Sequence, residues 1–449
     1  MFNPLPFIIS AVGVYFLFKL RFFFLLHPIR TLSKGVRAIK DRRALRSFIL
    51  ALSGTLGVGN VFGVAFGIII GGAGSVFWLF LSMFFAMVIK YAEVVISSDN
   101  LNHDVDTHGG MFYVIKNSFS RFGNVMSKIY AAGALLLSFF MGAALQCGTV
   151  TSSVAAISEI PAFSVATLLA ALVVLAILGG TGKIEKITAV LIPLTTMIYI
   201  FATSSIILNN IEYLPNVVER IVKSAFYPRS IVGGAVGVLI SPAFREGFAR
   251  GILSNEAGAG TSSIAHARNG VLNPALSGIL GMLEVWFDTG LLCMLTGFAI
   301  LISVPERIVA SDGMGLIMYV AGNAYGNVGK YVALLSVFAF AFATVICWYY
   351  YGMESWAFVF GKKQRIFFSP LFIIFVFVGS FLNSYYTVFV IDALMAVITL
   401  LCVTALIKNS DRIKTLSERG GVIDCDVEKR YLKGIRGSVL PKARKRRDG

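Results

Sequence analysis

Residues 53–60, SGTLGVGN, interrupt an apolar stretch that is otherwise long enough to cross a bilayer. The interruption consists of glycines together with the polar residues Ser53, Thr55 and Asn60. Within a membrane, backbone groups that leave a helix are tolerated only where they line a cavity or are buried in protein. The main-chain groups of such a segment can bind a ligand. The segment therefore predicts a binding site inside the membrane.

Ionisable residues within apolar segments are energetically expensive and usually functional. Glu284 and Asp288 are spaced one helical turn apart, and we expect them either to share a proton or to contact Arg245 and Arg250. We interpret residues 246–256 as a cytoplasmic loop that latches a gate.

Two further ionisable positions have simpler interpretations. Glu93 follows Lys90 at a spacing that favours a local ion pair. His266 is an isolated histidine beside a basic loop, and we assign it no catalytic role.

The composition is that of a polytopic membrane protein, because 57% of the residues are hydrophobic and only 14% are charged. The five cysteines show neither CxxC pairs nor metal-ligand spacing, so we expect no disulfide framework, no zinc and no cofactor. There is no HExxH motif, no Walker motif and no repeated filter loop. These features argue against an intramembrane enzyme, an ATP-driven pump and a channel.

Apolar runs recur along nearly the whole chain and predict about eleven membrane helices in an all-α protein. The first run lacks a basic start and a cleavage site, so we expect a retained helix rather than a signal peptide. The predicted spans are 5–26, 46–70, 75–98, 125–154, 162–180, 186–208, 215–250, 272–303, 331–360, 366–383 and 386–407.

The basic residues predict the orientation, since short cytoplasmic loops carry the excess of lysine and arginine. The loop from Arg21 to Arg46 is strongly basic, which places the N-terminus outside and the C-terminus in the cytoplasm. We therefore interpret the net charge of +16 as a result of the membrane topology. The basic residues are expected to face anionic lipid of the inner leaflet rather than nucleic acid.

Four motifs resemble the alanine or glycine:cation (sodium) symporter family. They are the segment that starts at SGTLGVGN and ends at KYAEVV (53–95), RGILSNEAGAGTSSIAHA (250–267), EVWFDTGLLCMLTG (284–297) and FAFATVICWYYYGMES (340–355). The resemblance implies a LeuT-type fold, in which one extra N-terminal helix precedes two inverted repeats of five helices. On this basis residues 1–45 contain the extra helix and a basic loop, 46–208 and 209–408 are the repeats, and 409–449 form a basic tail.

In that architecture, a broken helix at the start of each repeat supplies substrate and ion ligands near the bilayer midplane. In the first repeat, the amides of Gly57, Val58 and Gly59 are expected to bind a substrate carboxylate, with Thr55 near the amino group and Asn60 beside it. The carbonyls of Ser53 and Leu56 are expected to face sodium.

The second break is predicted in SIVGGAVG (230–237), where carbonyls near Ile231 would bind the ammonium and Gly233 would let the backbone turn. An ordinary packing contact of these glycines is the alternative.

The resemblance also assigns side chains in two other helices. Thr344 would bind sodium. The second hydroxyl that is usual in the family is replaced by Ala343, so the ion loses one ligand unless water or the Phe340 carbonyl takes its place. Gln146 is expected either to contact the substrate or to bridge helices, and Trp348 either to line the pocket or to pack.

The function implied is sodium-coupled import of a small neutral amino acid, of the alanine or glycine class, by alternating access. Because of Ala343, two alternatives remain open: a degenerate family member that acts as a sensor, and a proton-coupled transporter of another small zwitterion. The sequence leaves the oligomeric state undetermined.

Overall fold

The computed structural model describes residues 4–100, 109–226, 241–267, 273–304 and 312–423, and the regular structure in these ranges is helical. The α-helices in chain order are α1 (Leu5–Lys19), α2 (Phe23–Leu26), α3 (Pro28–Ala38), α4 (Arg42–Thr55), α5 (Phe62–Gly71), α6 (Gly74–Asp99), α7 (Met111–Ser118), α8 (Gly123–Ala155), α9 (Ala162–Ile177), α10 (Gly180–Asn209), α11 (Leu214–Phe226), α12 (Pro242–Asn255), α13 (Ser263–Ala267), α14 (Pro274–Ser303), α15 (Gly313–Phe360), α16 (Arg365–Gly379), α17 (Ser384–Lys408) and α18 (Ser410–Arg419).

Six of these helices are long and apolar enough to cross a membrane, within the residues that the structure describes: α6, α8, α10, α14, α15 and α17. Helix α4 and the segment Val58–Gly71 form a further span that is bent by 57°. The expected all-α membrane fold is therefore confirmed, whereas the expected number of about eleven spans stays a prediction.

The predicted span 215–250 has a different structure. Residues 214–226 form the amphipathic helix α11, which buries Val217, Ile221 and Ala225 on one face. At 13 residues it is about 20 Å long, too short to cross a bilayer. A separate helix, α12, starts at Pro242, which suits a first helical turn because that position needs no N–H donor.

The range Gly313–Phe360, α15, consists of two helices joined at a kink, and the second of them starts close to the predicted residue 331. Its backbone is non-helical at Tyr325 and at Gly326, where φ is +58°. Glycine tolerates this left-handed conformation because it has no Cβ. The kink divides α15 into a short first part and the longer part that reaches the site.

The helices follow the order expected for two repeats, each starting with a broken helix. The pair α4 and α5 is followed by α6, α8, α9 and α10, and the pair α12 and α13 is followed by α14, α15, α16 and α17. Helix α6 packs against α12 and α14, while α15 packs against α4, α8 and α10. The exact repeat boundaries remain predictions.

Candidate functional site

The first break lies within the predicted segment 53–60. Helix α4 starts at the N-cap Asp41, whose carboxylate accepts from Arg43 N at 2.7 Å, and it ends at Thr55. Gly57 is extended (φ −115°, ψ −157°), and a single 3₁₀ turn, Val58–Asn60, leads into α5. The prediction that the helix unwinds here is confirmed.

Oxygen atoms from α4 and α15 meet at the C-terminal end of α4. The Thr344 hydroxyl donates to the carbonyls of Ser53 at 3.0 Å and Leu56 at 3.3 Å. All three residues are at most 2% exposed. This end of a helix carries partial negative charge, which favours a cation. Three predicted sodium ligands are thus brought together.

The neighbours of Thr344 on α15 contribute no further side-chain oxygen. Ala343 is fully buried and offers only a methyl group. Phe340, one turn earlier, packs its ring against Tyr199 with centroids 5.7 Å apart. Trp348, one turn later, donates its indole N–H to the Gly54 carbonyl at 3.2 Å. This hydrogen bond of Trp348 links α15 to the last turn of α4.

Gln146 contacts the unwound backbone directly. It lies just after a π-helical segment of α8, Ser138–Leu145. Its side-chain oxygen accepts from Val58 N at 3.1 Å, and its NH₂ donates to the Met141 carbonyl at 3.1 Å. A π-helical turn displaces the residues around it and is frequent at functional sites. Gln146 thus bridges α8 and an amide predicted to bind substrate.

Gly57 lies between Gln146 and Thr344. A Cβ at this position would be 2.8 Å from Thr344 Oγ1 and 3.0 Å from Gln146 Oε1. The first distance is shorter than real Cβ contacts and the second is tight, so a side chain here would force Thr344 or Gln146 to move. Thr344, the predicted sodium ligand, and Gln146, the predicted substrate ligand, therefore both lie next to Gly57.

The other predicted substrate residues have different surroundings. The Thr55 hydroxyl donates within its own helix, to the Leu52 carbonyl at 3.3 Å. Gly59 faces Ser254 of α12, and Asn60 donates to Asp288 Oδ1 at 2.5 Å. The predicted Ile231 and Gly233 lie outside the described residues.

The structure contains a break between α12 and α13 that the sequence analysis did not predict, and the predicted break at residues 230–237 lies outside the described residues. Between the end of α12 and the start of α13, the backbone has positive φ at Glu256 (+55°), Gly258 (+88°) and Gly260 (+75°). Arg250, Asn255 and Glu256 are at most 3% exposed, so the interpretation of residues 246–256 as a cytoplasmic loop is wrong. The charges are buried because they have partners: Arg250 pairs with Asp392 at 2.6 Å.

The expected contacts of Glu284, Asp288 and Lys90 are also wrong. Glu284 lies 3.7 Å from Lys90 Nζ and 3.0 Å from His266 Nε2, rather than near Arg245 or Arg250. Lys90 therefore pairs across helices and not with its neighbour in sequence, Glu93.

The side chains of α6 instead hold the second break. Glu93 accepts from Gly258 N at 2.6 Å, and Lys90 donates to Ser262 Oγ at 3.0 Å. Glycines among polar residues in SNEAGAG were the available signal, since they repeat the pattern of the first break. The charged side chains of α6 contact a backbone amide and a hydroxyl of this segment.

The helix order and the paired breaks define a fold class, the LeuT-type fold. The chain is similar to the solved structure of MhsT in complex with L-phenylalanine (TM-score 0.57, 14% identity, covering 81% of this chain and 87% of that one). It is also similar to a Na⁺-coupled sialic acid symporter (TM-score 0.56, 10% identity, 93% and 87%). At these identities, the likeness shows the fold alone.

The sodium:alanine symporter family model matches residues 2–417, and the chain belongs to that family. Among its relatives are an uncharacterized transporter of Haemophilus influenzae (29% identity; 85% of each chain) and the sodium/alanine symporter AgcS of Methanococcus maripaludis (28%; 76% of each). The amino-acid carrier protein AlsT of Bacillus subtilis is 27% identical over 90% of this chain and 86% of its own. The protein is therefore an integral, multi-pass membrane protein of a family of sodium-coupled amino-acid symporters, which is a class of transporters and not of enzymes.

Proposed function

We propose that this protein imports a small neutral amino acid, of the alanine or glycine class, together with sodium by alternating access. The observation that carries the proposal is the approach of the Thr344 hydroxyl to the Ser53 and Leu56 carbonyls. Sodium is a hard cation that prefers oxygen ligands, and half-helix C-terminal ends are where LeuT-type transporters coordinate it. With sodium bound, these oxygens would turn their lone pairs to the ion.

The substrate carboxylate is proposed to bind the amides that follow the first break. These amides lie at the positive end of α5, which favours an anion. In this structure the Gln146 side-chain oxygen accepts a hydrogen bond from Val58 N, in the position that we propose for a substrate carboxylate oxygen. Substrate binding would release the Gln146 amide to contact the amino acid.

The proposed location is the inner, cytoplasmic membrane, with the N-terminus outside and the C-terminus in the cytoplasm. The basic loop of residues 21–46 and the basic tail of residues 409–449 support this orientation. Cysteine labelling from each side of intact cells tests it.

Ala343 supports a second candidate, a sensor or a proton-coupled transporter, because it removes one expected sodium ligand. Uptake of a panel of radiolabelled amino acids into proteoliposomes separates these functions, with sodium, proton and lithium gradients imposed separately. Uptake driven by sodium alone supports the proposal. Uptake driven only by protons, or binding without uptake, contradicts it.

A further inference from the structure

Helix α3, which lies between α1 and the first broken helix, is attached to the rest of the protein by one of its faces. Thr31, Gly35 and Ala38 are buried, and their spacing of four and three residues places them on one side of the helix. Gly35 faces α14, where a Cβ would lie 3.2 Å from Ile279 Cγ2. This face therefore packs α3 against α14.

The other two faces of α3 are apolar and basic. The apolar face consists of three side chains that are 82%, 50% and 48% exposed, Ile29, Leu32 and Val36. The basic face consists of three side chains spaced by four and three residues, Arg30, Lys34 and Arg37. A helix of this kind lies in the plane of a membrane interface, with its apolar side chains among the acyl chains and its basic side chains at the headgroups.

The position of α3 along α14 agrees with such an interface. Gly420, which follows the C-terminal helix α18, faces Ala275 in the first turn of α14. Gly35 of α3 faces Ile279 and Leu283 instead. At 1.5 Å per residue, α3 therefore lies about 6–12 Å further along α14 than Gly420 does. The apolar face of an interfacial helix lies about 5–10 Å into the boundary between headgroups and acyl chains.

We propose that α3 is a binding surface for anionic phospholipid of the cytoplasmic leaflet. Its basic face would bind phosphate headgroups, and its apolar face would contact the acyl chains of the same lipids. Charge complementarity supports this ligand, because α3 carries three basic residues and no acidic one. Guanidinium and ammonium groups are suitable donors to phosphate oxygen atoms. A free phosphate or an acidic soluble protein would leave the apolar face uncovered.

The contacts of α3 connect this surface to the helices that form the breaks. Leu283, which Gly35 faces, precedes Glu284 in α14. Glu284 lies 3.7 Å from Lys90 Nζ, and Lys90 also contacts Ser262, which lies between α12 and α13. Anionic lipid that holds α3 at the interface would therefore also position the first half of α14. We expect such lipid to raise the rate of transport.

The test is the affinity of the purified full-length protein for phosphatidylglycerol, measured by native mass spectrometry without sodium or amino acid. Phosphatidylcholine with the same acyl chains is the comparison lipid. Each basic residue near an anionic lipid surface strengthens binding about fivefold. Arg30→Gln with Arg37→Gln should therefore raise the dissociation constant of the most tightly bound phosphatidylglycerol about 30-fold and leave phosphatidylcholine binding unchanged. Both arginines are exposed and glutamine favours helix, so the variant should fold.

Lys362→Gln with Lys363→Gln is the matched control for charge. These exposed lysines lie in the 3₁₀ turn before α16, on the side of the membrane that the sequence predicts for α3. The control removes the same net charge and should keep the wild-type affinity for the most tightly bound phosphatidylglycerol.

Ile29→Gln with Leu32→Gln keeps the basic face and removes most of the apolar one. This variant should bind phosphatidylglycerol at least about tenfold more weakly, because two apolar contacts are lost. Unchanged affinity, or equal competition by soluble glycerol phosphate, would show that α3 binds a free phosphate group and would contradict the proposal. Unchanged affinity in the arginine variant, or an equal loss in the lysine control, would contradict it as well.

Uptake into proteoliposomes with an increasing fraction of phosphatidylglycerol tests the connection to transport. Sodium-driven uptake should rise with this fraction for the wild type and the lysine control, and it should not rise for the arginine variant. Equal dependence on phosphatidylglycerol in all three proteins would overturn the connection. Absence of sodium-driven uptake by the wild type at every lipid composition would refute the proposed function, whereas the lipid affinities would still decide whether α3 binds anionic lipid.

Discussion

Gly57→Ala is the substitution that most sharply probes the geometry of the first break. The backbone there is extended, with φ of −115°, so alanine adopts it without strain and the effect arises from contacts alone. The added Cβ would lie 2.8 Å from Thr344 Oγ1, which must then move away from the Ser53 and Leu56 carbonyls. The Thr344 hydroxyl has one proton, which the two carbonyls share, so loss of this buried hydrogen bond costs about 1 kcal/mol.

If the same displacement removes the hydroxyl from the ion, a loss of about 1 kcal/mol corresponds to a rise of about fivefold in the half-saturating sodium concentration. The assay is amino-acid uptake into proteoliposomes as a function of sodium concentration, with the amount of monodisperse protein matched between variants.

Gly63→Ala is the matched control in the same broken helix. A Cβ at Gly63 meets no atom within 4 Å, so uptake should keep the wild-type sodium dependence. Equal sodium dependence of Gly57→Ala and wild type would refute the reasoning. An equal shift in both alanine variants would also refute it, because the effect would then not depend on the contact with Thr344.

Three further substitutions test neighbouring parts of the structure. Ala343→Ser restores a second hydroxyl and should lower the half-saturating sodium concentration of uptake, by up to about tenfold; no change would mean that another ligand fills that position. Gln146→Ala removes the acceptor of Val58 N and should weaken amino-acid binding about tenfold in calorimetry, while unaltered affinity would assign Gln146 a packing role. Lys90→Met leaves Glu284 without its lysine and should destabilise the protein by about 3 kcal/mol, measured by thermal unfolding. Glu284→Gln added to Lys90→Met should recover part of that stability, and a further loss would contradict the ion-pair assignment.

The first break could be predicted from the sequence because its polar residues and glycines interrupt an apolar run. The apolar residues on both sides exclude an ordinary loop in water at this place. The resemblance then supplied Thr344, which lies almost 300 residues away in the chain. No periodicity connects two positions so far apart, and only the packing of α15 against α4 brings them together.

The second break was missed because its charges resembled those of a cytoplasmic loop. Arg250 is buried with its partner Asp392 on a distant helix, and sequence spacing does not reveal such a partner. The same limit applies to Asp288, whose contacts come from Asn60 and Ser254 on two other elements. Its expected contact with Arg245 and Arg250 assumed that these arginines lie at the cytoplasmic end of a neighbouring broken helix.

The central claim is that sodium binds at Thr344 and drives amino-acid uptake. Its most direct test compares sodium-driven uptake by wild type, Thr344→Ser and Thr344→Ala in the same proteoliposomes. We predict that Thr344→Ser, which keeps the hydroxyl, retains sodium-driven uptake and that Thr344→Ala loses it. Undiminished sodium-driven uptake by Thr344→Ala would contradict the claim.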